Sequence, residues 1–75
     1  MKRERGRVDW YNSSEGFGSI VSDEFHDALF VHFSFVDHPG GFRELHEGQA
    51  VEYVRVDQPG PNGIRPAATQ VRPLP

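Results

Sequence analysis

The sequence predicts an all-β protein, a small closed or nearly closed barrel of five short strands. Apolar residues recur at every second position in several short runs, the period of a half-buried strand. Clusters of Gly, Pro, Asn, Asp and Ser separate those runs at short intervals and supply turn chemistry. No stretch sustains the longer period of an amphipathic helix. A chain of 75 residues has room for one core, so a single domain over 1–75 is expected.

The first strand is read from Arg5 to Asn12, with Val8 toward the core and Trp10 and Tyr11 at its end. Two adjacent large rings break strict alternation and predict a bulge or an edge position there. Asn12 to Glu15 is a turn by composition. Gly16 to Ser22 is the second strand, with Phe17 and Ser19 on one side and Gly16, Gly18 and Ile20 on the other. Glycines on one face of a strand point to close approach of a neighbour or to strong curvature. Asp23 to Asp27 is a polar connection, read as a solvated acidic turn. The third strand follows, Ala28 to Phe33, with Phe30 and His32 on one side and Leu29, Val31 and Phe33 on the other. Ser34 to Asp37 fits a single helical turn with Ser34 as its cap. Asp37 to Gly48 is a long loop punctuated by Pro39, Gly40 and Gly41, and long loops in compact domains tend to be functional. Gln49 to Val56 alternates as a fourth strand. Asp57 to Gly63 reads as a flexible Pro/Gly turn, and Ile64 to Arg72 as the fifth strand.

Composition narrows the function. There is no cysteine, hence no disulfide or thiolate metal site, and the N-terminal charged run has no apolar stretch behind it. No segment has the length of a membrane span, so the expected setting is the cytoplasm. Eight basic residues against eleven acidic ones leave a net charge of −3, where a nucleic-acid binder is normally basic. Four of the eight basic residues fall within the first seven positions, and all but Lys2 are arginine, which suits both phosphate contacts and stacking on bases. The four histidines lack the spacing of a ligand motif, and the acids of Asp23–Asp27 lack that of a calcium loop. No cofactor or metal is called for, and no nucleophile–base pair suggests an enzyme.

The informative feature is the outward face of the second and third strands. Ile20, Leu29 and Val31 already fill the inward phase, so Phe17, Phe30 and His32 face water. Stacking of unpaired bases is the use that best explains such a face.

The residues that form this face also carry a resemblance. Val8-Asp-Trp-Tyr-Asn12, Glu15-Gly-Phe-Gly-Ser-Ile20, Leu29-Phe-Val-His-Phe-Ser34, Glu47-Gly-Gln-Ala-Val51 and Pro66-Ala-Ala-Thr-Gln-Val71 occur in the order of the landmarks of the cold-shock domain family. The chain resembles that family from about Arg5 to Val71. The resemblance implies a five-stranded antiparallel OB-fold barrel with a long loop between strands 3 and 4. It further implies binding of single-stranded, pyrimidine-rich RNA or DNA by base stacking, action as a nucleic-acid chaperone or a regulator of transcription or translation, and no enzymatic activity. Carried over by position, Trp10, Phe17, Phe30, His32, Phe33 and Phe42 are the stacking residues, with Tyr11 supporting them at the edge. Arg7, Arg43 and Arg65 are the candidate phosphate contacts.

Three departures predict weakened binding. Ser19 stands where the family pattern has a second exposed Phe, and Asp9 and Glu15 replace basic residues. Stacking is worth ~1–3 kcal/mol per base, so the loss at position 19 alone weakens binding about tenfold. The alternative reading is a protein-interaction module that keeps the barrel with little nucleic-acid affinity, its partner then a protein. A monomer is expected, with a strand-exchanged dimer as the other arrangement open to a barrel with a long Gly-rich loop.

Overall fold

The computed structural model describes residues 2–37 and 45–75. Its strands are β1 (Glu4–Asn12), β2 (Phe17–Ser22), β3 (Ala28–His32), β4 (Ala50–Gly60) and β5 (Gly63–Pro73), with a 3-10 turn at Phe33–Phe35. They form a closed barrel in the order β1-β2-β3-β5-β4. Neighbours are antiparallel except β3 and β5, which meet in parallel at Phe30 and Ala67. Among the described residues, no helix is long and apolar enough to cross a membrane.

The alternation read from the sequence fills the barrel. Val8, Ile20, Leu29, Val31, Val51, Tyr53, Ala68 and Val71 are buried, and Val36 and Leu45 join the same core. The first expected irregularity is a bulge in β1. Val8 pairs with Ile20 and Trp10 with Ser19, leaving Asp9 as the extra residue. Val8 therefore points in, Asp9 and Trp10 both point out, and Tyr11 turns back against the core. A second bulge, in β5 opposite Tyr53, places Gln70 at φ 50 and lets Tyr53 and Val54 both be buried, which strict alternation does not allow.

The β4–β5 connection and the 3-10 cap differ from the expectation. Asp57–Gly63 is not a loose turn, because β4 and β5 pair continuously out to Gly60 and Gly63 and reverse over Pro61-Asn62. Proline is tolerated in such a two-stranded ribbon where its missing N–H faces away from the partner. The cap of the 3-10 turn is His32 rather than Ser34. His32 is still extended, and its ring accepts the Ser34 backbone N–H. The chain thus leaves the strand at Phe33, one residue earlier than its composition suggests.

The barrel is also joined by an ion cluster. Arg55 of β4 donates to both carboxylate oxygens of Glu4 in β1, at 2.8 and 3.0 Å. It also donates to both oxygens of Asp27, at the entry to β3, at 2.7 and 2.9 Å. Tyr53 donates its hydroxyl to Glu4 at 3.3 Å, and burial raises the pKa of that phenol. The hydrogen bonds from Arg55 hold the Glu4 and Asp27 carboxyls below their ordinary pKa values, and the two carboxylates raise that of Arg55. Asp27, read as part of a solvated acidic turn, instead helps clamp the barrel.

Candidate nucleic-acid interface

The outward residues of β1, β2 and β3 supply four rings, and the 3-10 turn adds two more, Phe33 and Phe35. Phe17 is the cross-strand partner of His32, and Ser19 that of Phe30, so Phe17 and Phe30 are diagonal neighbours. Their centroids lie 6.2 Å apart at an interplanar angle of 29°. The β1 bulge turns Trp10 onto the same surface, where it meets Phe17 edge-on at 5.7 Å and 81°. On the other side of Phe17, His32 lies 4.5 Å from Phe33 and 6.0 Å from Phe35. Trp10 and Phe33 are each 44% exposed, and Phe17, Phe30, His32 and Phe35 are half-buried. The rings form two contact groups, Trp10–Phe17–Phe30 and Phe33–His32–Phe35, set side by side by the Phe17–His32 cross-strand pair, with geometry suited to flat aromatic ligands.

Local chemistry explains why these rings face out. Gly18 lies against β1, where a Cβ would overlap the Trp10 carbonyl oxygen and lie 2.8 Å from Tyr11 Cα. Its lack of a side chain lets β2 follow the bulge. Gly16 has φ +76, and a Cβ there would sit 2.7 Å from the ring of Phe33. Its carbonyl accepts the Phe33 N–H at 2.8 Å, which ties the turn before β2 to the start of the 3-10 turn. Phe33, inward by alternation, is brought out because the strand ends at His32. The Nδ1 of His32 accepts the Ser34 N–H at 3.2 Å and lies 2.8 Å from Ser34 Oγ.

The other expected site residues are disposed less uniformly. Tyr11 is half-buried and packs against the core. Arg7 is exposed on β1 and donates to the Gly48 carbonyl at 3.2 Å. Arg65 extends from β5 over Phe30, with its guanidinium carbon 4.0 Å from the ring centroid. Phe42 and Arg43 lie outside the described residues. Phe35, which the sequence reading left out, joins the surface through His32. The only local signal for it is the alternation Phe33-Ser34-Phe35. Asp9, in the bulge, and Glu15, in the turn before β2, are exposed.

A closed five-stranded barrel of this order, with an aromatic outer face on β2 and β3, is an oligonucleotide-binding (OB) fold. Residues 4–74 match the family described as the 'Cold-shock' DNA-binding domain. The Cold shock-like protein CspC of Escherichia coli K12 is 39% identical over 69 residues, which cover 91% of this chain and 99% of that one. CspE of the same strain is 43% identical over 53 residues, covering 71% and 75%. A solved structure described as drosophila Unr CSD456 superposes with a TM-score of 0.73 at 31% identity, covering 99% of this chain and 27% of that chain. This chain thus spans about a quarter of that larger protein's structure. The chain belongs to the cold-shock domain family. It is a nucleic-acid-binding protein of the cold-shock type, in a family of binding rather than catalytic domains, and the protein-interaction alternative is not favoured.

Proposed function

We propose that the chain captures short stretches of pyrimidine-rich single-stranded RNA or DNA by stacking bases on Trp10, Phe17, Phe30, His32 and Phe33. Arg7, exposed on β1, is a candidate phosphate contact. The observation that supports this is the run of rings left half-exposed on one surface. By holding unpaired bases, such a surface biases structured RNA toward its open form without ATP, a chaperone or regulatory role in the cytoplasm. A monomer suffices for it. Ser19, Asp9 and Glu15 make the affinity modest. Phosphate attraction contributes little, so the affinity falls only gently with salt.

Fluorescence of the single tryptophan, Trp10, tests the reading on titration with short dT and U oligonucleotides at two salt concentrations. Saturable quenching with a shallow salt slope is expected. Phe17→Ala removes the ring between Trp10 and Phe30 and should weaken binding by ~1–3 kcal/mol while unfolding stays cooperative. If Phe17→Ala binds like the wild type, stacking on this surface is not how the chain binds.

A further inference from the structure

Arg65 does not project toward solvent as a phosphate contact would. Its guanidinium lies over the ring of Phe30 at a cation–π distance of 4.0 Å. A stacked base needs the same volume. The arrangement has a builder in β4. A Cβ on Gly60 would stand 2.9 Å from Arg65 Cδ, so that glycine leaves the room in which the arginine stem lies down. It also carries a penalty. Gln58 is the cross-strand partner of Arg65, and both Gln58 Oε1 and Arg65 Nε are buried without a hydrogen-bond partner. An acceptor and a donor left dry and unpaired favour any state that lets them reach water or a ligand. The cover over Phe30 is therefore held by the ring contact and opposed by its own polar atoms, as a displaceable cover must be.

We propose that Arg65 is a built-in occupant of the base-stacking position on Phe30, and that a nucleic-acid base binds there by displacing its guanidinium. This rests on the stacking reading above and refines it. Phe30 is a gated position, and the Trp10–Phe17 and His32–Phe33 rings are ungated. Opening the gate releases the guanidinium and frees Gln58 and Arg65 Nε to pair. Residue 65 then sets how many bases the surface accepts at low oligonucleotide concentration.

Arg65→Ala gives a sharp test, because charge and gating predict opposite signs. The substitution lowers the net charge from −3 to −4, which by itself disfavours a polyanion. At about 0.1 M salt, where exposed charges are strongly screened, uncovering Phe30 should dominate. The Arg65→Ala chain is then expected to bind a short dT oligonucleotide about fivefold tighter than the wild type by Trp10 quenching. Arg7→Ala, which removes the same charge from an exposed position, should bind more weakly. Equal or weaker binding by Arg65→Ala overturns the proposal. Proton NMR of the intact wild-type chain gives a readout independent of affinity. The Arg65 δ and ε protons should be shifted upfield by the Phe30 ring in the free protein, and lose that shift in Phe30→Leu and on saturation with the oligonucleotide. If they are unshifted in the free protein, there is no cover. If they remain shifted while Trp10 is fully quenched, the stacking reading stands and only the gate is refuted. If neither the wild type nor Arg65→Ala quenches, both the gate and the stacking reading fail.

Discussion

Replacing Arg55 with Met should remove the cluster that joins β1, β3 and β4 while keeping the apolar stem. Arg55 makes two charge-assisted hydrogen bonds to Glu4 and two to Asp27. The two halves are not equal. The Glu4 side chain is only 11% exposed, so its pair is weakly screened, whereas Asp27 is 39% exposed and its pair counts nearer a surface ion pair. Taking about 1.5–2 kcal/mol for the sheltered half and about 0.5 for the open half gives about 2 kcal/mol in all. For a domain this small, that lowers Tm by about 10 °C. The variant also leaves Glu4 and Asp27 facing each other without a cation, which adds to the loss.

The pH dependence follows from the direction of the shifts. Both carboxyls have folded pKa values below their ordinary 4.5 and 3.8, so the unfolded chain binds more protons in that range. Their stabilisation is complete above those ordinary values and is lost as pH falls through the lowered folded ones. The gap in Tm between wild type and Arg55→Met should therefore be full at pH 7 and shrink steadily below about pH 4. Thermal unfolding followed by circular dichroism measures it. A double-mutant cycle with Glu4→Gln should return a coupling of about 1 kcal/mol. A Tm within about 3 °C of the wild type at pH 7, or a gap of the same size at pH 7 and pH 3, would refute this account of the clamp.

Two further substitutions probe the aromatic surface. Ser19→Phe places a ring opposite Phe30 and beside Trp10 on an outward strand position, and should tighten oligonucleotide binding by ~1–3 kcal/mol without loss of stability; a titration showing unchanged affinity would mean the gap at position 19 is not what limits binding. Gly16→Ala puts a Cβ at a left-handed φ and against the Phe33 ring, so it should destabilise the domain by about 1–2 kcal/mol and displace that ring, visible as a Tm lower by about 5 °C or more and as altered Phe33 proton shifts.

The parts of this fold that were legible in the sequence are those set by nearest neighbours. A period of two placed Val8, Ile20, Leu29, Val31, Phe17 and Phe30 on their observed sides, and the adjacent Trp10 and Tyr11 announced the β1 bulge. What was not legible depends on residues far apart in the chain. Arg55 finds Glu4 and Asp27 only once the barrel closes, so an acidic turn and an unremarked arginine became a clamp. Asp57–Gly63 has turn composition throughout, yet β4 and β5 extend through it because each supplies the other's backbone partners. Arg65 was named only as a candidate phosphate contact, and its orientation comes from the room at Gly60 and the ring on β3. Alternation alone puts Phe33 inward, and only the resemblance named it a stacking residue, because alternation has no term for a side chain that ends a strand; His32 ends this one by accepting the Ser34 N–H.

The placement of the basic side chains accounts for the net charge that sat oddly with nucleic-acid binding. Arg55 is bound by Glu4 and Asp27, Arg72 pairs with Asp37, and Lys2 with Glu24. Arg3 reaches Glu52 and the Gln70 carbonyl, Arg7 the Gly48 carbonyl, and Arg65 the ring of Phe30. Among the described residues, Arg5 alone of the basic side chains has no such partner. Arg55 is thus engaged in holding the barrel and Arg65 lies on its aromatic face, while the Lys2 and Arg72 pairs are exposed surface contacts and Asp9 and Glu15 stay exposed. Under the proposed stacking function, a surface built this way should gain its affinity from base faces rather than from the backbone, and should discriminate paired from unpaired strands more than it accumulates on polyanions. Duplexes offer phosphates in abundance but no free base face, and this domain offers them little in return.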